Sequence, residues 1–137
     1  MKSVTSLSQK ISLFTAALLI ISGNHLFASI GGEKVVEKAR ASVEKAAPDD
    51  WKTLAEAAQL CIKKKVNMKE ASEWIHKSIE IKKTQFNTEV MGDYYRVNNL
   101  PEKAVAWYME SMALGKKSTD SFDASMLQAK MFDLRKQ

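Results

Sequence analysis

Few side chains in this 137-residue chain are of the types that make and break bonds. It holds two histidines, His25 and His76, and a single cysteine, Cys61. His25 lies in an N-terminal segment that reads as removable, which leaves His76 alone in the remainder. A zinc site needs three or four N, S or O ligands, and a nucleophilic triad needs a histidine oriented by a partner. Read as helix, Trp74-Ile75-His76-Lys77-Ser78 turns Trp74, Ile75 and Ser78 inward and His76 outward, as a solvated imidazole. One cysteine excludes an intrachain disulfide and a thiolate cluster. Cys61 sits within Ala57-Ala58-Gln59-Leu60-Cys61-Ile62 and reads as a buried, inert thiol. Asp49-Asp50 reads as a helix cap and Asp93 as a surface charge, not as paired acid and base. Gly31-Gly32 has no preceding strand and so is no phosphate loop. The residue inventory therefore predicts no enzyme, no cofactor and no metal site.

The elements that position these residues are helices. Five glycines, two prolines, 45% hydrophobic and 27% charged residues describe a folded, helix-favouring chain. The formal net charge of +5 falls to +3 without Lys2 and Lys10. Basic and acidic side chains are interleaved except at Lys63-Lys64-Lys65, which reads as a helix C-terminus, so nucleic acid is not an expected partner. Lys2 and Lys10 frame a polar start, and the eleven-residue run from Ile11 to Ile21 is apolar. Ser22-Gly23-Asn24-His25 then reads as a helix break before Leu26-Phe27-Ala28. This is the layout of a secretory signal peptide, with a core too short for the roughly 20 residues of a membrane span. The expected division is a signal peptide over 1–28, cut after Ala28, and a helical domain over 29–137. Export to the periplasm or the cell exterior follows, with membrane contact only if the segment stays uncleaved as an anchor.

The exported part repeats. Ala71, Trp74 and Ser78 recur as Ala104, Trp107 and Ser111, each 33 residues on. Met91-Gly92, Tyr95, Ala104, Tyr108 and Ser111 fall at the spacings of the tetratricopeptide (TPR) consensus, whose period is about 34 residues. Gly92 would let two helices approach closely, Tyr95 and Tyr108 would fill the space between them, and Ala104 would avoid a clash at the crossing. Asn98-Asn99-Leu100 supplies the turn, with Pro101 at the first helical position. Over roughly residues 35–135 the chain resembles TPR proteins. The tryptophan and alanine pattern from Trp51 to Ser78 is also similar to the TPR-like tail of certain exported bacterial proteins of unknown function, without their β-rich region. The resemblance implies an all-α fold, a short right-handed array of helical hairpins. Asp49 or Asp50 caps a helix over Trp51–Lys64, and Val66-Asn67-Met68 forms the turn to the next. Ala39, Val43 and Ala46, ended by Pro48, read as an N-terminal half-repeat. Beyond Gly115, Ser118 to Asp120 offers a cap and Phe122–Arg135 reads as a C-terminal capping helix. Its Phe122, Met126, Ala129 and Phe132 are expected to face inward, with Gln128, Lys130 and Arg135 in water. The seven methionines read as core filler.

In TPR arrays the first helix of each unit forms the concave face. By position, the resemblance assigns partner binding to Phe86, Glu89, Asp93 and Arg96. Trp51, Leu54, Ala58 and Cys61 are their counterparts in the first unit, and His76 and Met109 lie on the opposite side. The four residues are spaced three, four and three apart and so share one stripe of a helix whose other stripe, Met91, Gly92 and Tyr95, packs. The function implied is a non-enzymatic module binding a protein or peptide segment. A structural or assembly role, through self-association or a membrane complex, stays open as the alternative.

Overall fold

The computed structural model describes residues 22–119 and 121–136, with side chains from Gly31 onward. Among these residues there are six α-helices and no strand, arranged as a helical hairpin array. The chain divides into two units, Met1–Gly31 and Gly32–Gln137. The apolar run Ile11–Ile21 lies outside the described residues. Among the described residues helix α1 (Ser22–Lys45) begins at Ser22, so Ser22-Gly23-Asn24-His25, where the sequence predicts a helix break, are themselves helical.

In the second unit, α2 (Trp51–Lys64) and α3 (Met68–Ile81) form one hairpin, and α4 (Gln85–Val97) and α5 (Pro101–Ser118) form another. Helix α2 also packs on α4, and α6 (Ser125–Leu134) packs on α5. Local chemistry sets the boundaries. Asp50 caps α2, accepting from the Thr53 N–H at 3.0 Å and the Thr53 hydroxyl at 2.6 Å. These bonds from Thr53 hold the Asp50 carboxyl below the usual carboxylate range. Helix α2 stops where Lys65 turns left-handed, with φ 55°, and the Lys65 N–H returns to the Ile62 carbonyl at 3.1 Å. Asn67, φ 48°, completes the turn. Asn87 closes a capping box with Thr84 at the start of α4. Its buried amide also donates to the Ser78 hydroxyl at 3.0 Å and the Lys82 carbonyl at 2.7 Å, which ties the second hairpin to the first.

The core around the first hairpin is built from small residues, Ala55, Ala58, Cys61 and Ala71, together with Ile62 and Ile75, and Val90 and Met91 of α4 pack into it, all fully buried. Ala39 and the half-buried Val43 of α1 join this cluster. Arg40 reaches Glu70 at 2.7 Å, and this bond holds the Glu70 carboxyl below the usual range.

The two hairpins repeat one hydrogen bond. The Ser78 hydroxyl donates to the Trp51 carbonyl at 2.6 Å, and the Ser111 hydroxyl to the Gln85 carbonyl at 2.8 Å. In each case a serine late in the second helix bonds to the first residue of the first helix. Side-chain volumes are exchanged between the hairpins. A carbon added at Gly92 would enter the Tyr108 ring, so α4 and α5 meet across a glycine and a tyrosine. The positions one repeat earlier are Ala58 and Ile75, both fully buried.

The end of the array differs from expectation. Helix α5 runs past Gly115 to Ser118: Gly115 has no positive φ, and its missing side chain leaves room for the Phe122 ring. The expected cap residue Asp120 lies outside the described residues. In α6 the inward face is Leu127, Met131 and Leu134, spaced four and three apart. Met126 and Phe132, expected inside, are 70% and 58% exposed, and Ala129 is exposed too. Lys130, expected in water, turns inward. The helix carries two apolar stripes on nearly opposite sides, and packing on α5 selects one of them.

Candidate functional site

Along one side of α2 and α4 a groove of about 550 Å³ opens, bounded on its far side by α6. Helix α2 contributes Gln59, Ile62 and Lys63, with Lys65 at its cap; α4 contributes Glu89, Asp93, Arg96 and Val97. Asn99 and, from α6, Met126 and Lys130 close it. The Lys130 ammonium is the centre of a charge cluster. It stands 2.8 Å from Glu89 Oε1 and 2.9 Å from both carboxylate oxygens of Asp93. Its side chain, 22% exposed, also crosses the Tyr108 ring, 5.5 Å from the centroid. Tyr108 donates its hydroxyl to Asp93 Oδ1 at 2.7 Å, and Arg96 reaches the same oxygen at 3.5 Å. Gln85 donates to Glu89 Oε2 at 3.0 Å.

Burial, and then the hydrogen bond to Asp93, push the Tyr108 hydroxyl far above its ordinary range. At neutral pH it keeps its proton and donates a hydrogen bond to Asp93. The Cys61 thiol is buried, and desolvation pushes it up as well, away from the thiolate that a nucleophile needs. His76 is exposed, with Nδ1 2.7 Å from the Ser72 carbonyl oxygen one turn earlier. Among the described residues no group of three or more His, Cys, Asp and Glu side chains is placed to share a metal ion. The groove offers mixed charge, amide and apolar contacts.

No known protein family, curated protein or solved structure matches this chain. The geometry alone carries the functional argument.

Three of the four residues assigned to partner binding, Glu89, Asp93 and Arg96, come together in this groove. Phe86 does not. It lies at the other end of α4, in a separate cleft with Trp51 and Leu114. Asp93 is buried, 6% exposed, and already bonded by Tyr108 and Lys130, so it supports the groove more than it presents to it. In the first hairpin the counterparts shift. Leu54, Ala58 and Cys61 are buried in the core, and Gln59 and Ile62, 34 residues before Asp93 and Arg96, line the groove instead. The residues assigned to repeat packing divide by depth. Ala71, Ser78, Gly92, Ala104, Tyr108 and Ser111 are buried, while Trp74, Tyr95 and Trp107 are half-buried. On the opposite face Met109 is 60% exposed.

Sequence reasoning missed Lys130, because its partners are 37 and 41 residues away in the chain. Leu127, Met131 and Leu134 form an apolar stripe in the sequence, but Met126, Ala129 and Phe132 form another, so periodicity alone does not turn Lys130 inward. It also discounted Lys63 and Lys65, since a charge run at a helix end looks the same whether or not a groove opens beside it.

Proposed function

We propose that this chain is an exported, non-enzymatic interaction module, a TPR-like array that holds a protein or peptide segment in the groove of α2, α4 and α6. The observation that carries the reading is the groove itself. Its apolar contacts, Val97 and Met126, sit beside Lys63, Lys65 and Arg96 at a concave surface shared by three helices. The repeated serine-to-carbonyl bond and the Gly92–Tyr108 contact support the TPR likeness. The engaged Tyr108, buried Cys61 and solvated His76 support binding over catalysis. A photo-crosslinking residue placed at Lys63 or Gln59 should capture a discrete partner in the native host, and one placed at exposed Lys77 should not. Replacing Lys63 and Arg96 by alanine should weaken that capture at least tenfold, about 1.4 kcal/mol, with helicity unchanged. Equal capture from both faces would overturn the assignment.

Export rests on Lys2, Lys10, the apolar run Ile11–Ile21 and Ala28. No helix among the described residues is long and apolar enough to cross a membrane. N-terminal sequencing of protein from the exported fraction should begin at or near Ser29, and finding Met1 there would replace cleavage by anchoring.

The exposure of Met126 and Phe132 on α6 favours a second reading, self-association through the end of the array. Sedimentation distinguishes the two. A monomer over a wide concentration range fits the binding module, and a dimer abolished by Phe132→Ser fits assembly.

A further inference from the structure

At the opposite end of α4 from the groove, a cleft of about 480 Å³ opens between the first turns of α2 and α4 and the last turn of α5. Its floor is apolar: Trp51, Phe86 and Leu114, each half-buried. The polar side chains at its wall are already committed. Thr84 accepts from the Asn87 N–H, and Gln85 donates to Glu89 and Ser111. The rim is cationic. Lys83 and Lys117 line it, and the Lys82 ammonium stands over the Trp51 ring, 5.7 Å from its centroid. Lys83 is balanced by Glu110 at 2.6 Å, whereas no ion pair among the described residues engages Lys82 or Lys117. No carboxylate among the described residues lines the cleft.

Two aromatic rings and a leucine under surplus positive charge are complementary to an anionic occupant with an apolar anchor. We propose that this cleft docks an acidic protein segment, which lays one aromatic or large aliphatic side chain on Trp51, Phe86 and Leu114 and sets aspartates or glutamates against Lys82 and Lys117. A central apolar anchor supplies most of the affinity of such a contact, and the surrounding charges select the partner and speed its approach. The concave shape favours a peptide over a membrane. The apolar atoms form a floor that an inserted side chain reaches, while a lipid surface would meet the lysines first. The site is separate from the groove of α2, α4 and α6, and neither depends on the other.

The test uses the isotope-labelled protein and a blocked peptide with one phenylalanine flanked on each side by three aspartates. Titration followed by NMR should move the Trp51 indole and the backbone signals of Phe86 and Lys117. The double variant Lys82→Glu, Lys117→Glu should raise the dissociation constant at least tenfold. Because both lysines are exposed, circular dichroism should stay unchanged. Lys63→Glu with Lys65→Glu, in the groove, should leave this binding intact, so failure here is distinguishable from failure of the groove. A peptide with alanine in place of phenylalanine should bind at least tenfold more weakly. Equal binding of the alanine peptide, shifts confined to Lys63, Lys65 and Arg96, or no shift at millimolar peptide would each overturn the proposal. Binding to phosphatidylglycerol vesicles that depends on Lys82 and Lys117, with the peptide inert, would assign the site to a membrane surface instead.

Discussion

Tyr108 joins the two properties on which the second hairpin depends, close helix contact and a satisfied buried carboxylate. Its ring occupies the space that the missing side chain of Gly92 leaves, and its hydroxyl is held by Asp93 at 2.7 Å. A ring pinned at its far end cannot tilt away from a side chain at position 92. Gly92→Leu should therefore cost about 3 kcal/mol or more, despite leucine's better helix propensity. Glu110→Leu adds the same group where the side chain is 42% exposed and loses only its pair with Lys83, at a cost below about 1 kcal/mol. Denaturant midpoints of the two variants check this, and equal midpoints would mean that α4 and α5 do not meet at Gly92. The raised Tyr108 pKa has a sign that can be read in stability. Below the ordinary tyrosine value of 10.0 both folded and unfolded chains hold the proton. Above it the unfolded chain ionises and the folded one does not, so folding stability falls by up to about 1.4 kcal/mol per pH unit. Tyr108→Phe should cost about 1.5–3 kcal/mol at neutral pH, as a lost hydrogen bond to a charged group. That gap should narrow as pH rises from about 9 to 11. A constant gap would contradict the buried, bonded hydroxyl.

At the level of elements, the helix ends set by local chemistry were legible, while the break at Ser22-Gly23-Asn24-His25 and the stop at Gly115 were not observed. Asp50, the Lys65 to Asn67 turn and Pro101 act on groups within a few residues. The inward face of α6 was not legible. Met126, Ala129 and Phe132 form one apolar stripe and Leu127, Met131 and Leu134 another, on nearly the opposite side of the helix. Sequence periodicity ranks them equally, and only the surface of α5 chooses. That choice swings Lys130 onto Glu89 and Asp93, so the last helix is tied to α4 by charge as well as to α5 by Leu127 and Leu134. Lys130→Met should remove the charge tie and leave Asp93, with its side chain 8% exposed, without its lysine. A loss of about 1–3 kcal/mol is expected. Amide hydrogens of Ser125–Leu134 should exchange at least tenfold faster while those of α2 and α3 change little. Uniform acceleration would show that Lys130 serves the whole array and not α6 alone.

At the scale of the whole molecule, the two hairpins are built on one plan with different volumes. Alanine and isoleucine stand in the first where glycine and tyrosine stand in the second. Their recurrence, 33 and 34 residues apart, is written in the chain and already predicts an all-helical array. Composition, periodicity and caps determined that much, because they act through backbone preference and through neighbours three or four residues away. Which surface the array leaves open was decided only in three dimensions. The stripe Phe86, Glu89, Asp93 and Arg96 is continuous on α4, yet folding divides it between two clefts and buries Asp93. The reason is physical. A helix specifies the direction in which a side chain leaves its axis, but access to solvent depends on elements distant in sequence. Here α6 delivers Lys130 to one end of the stripe, and the turns around Trp51 and Leu114 wall off the other.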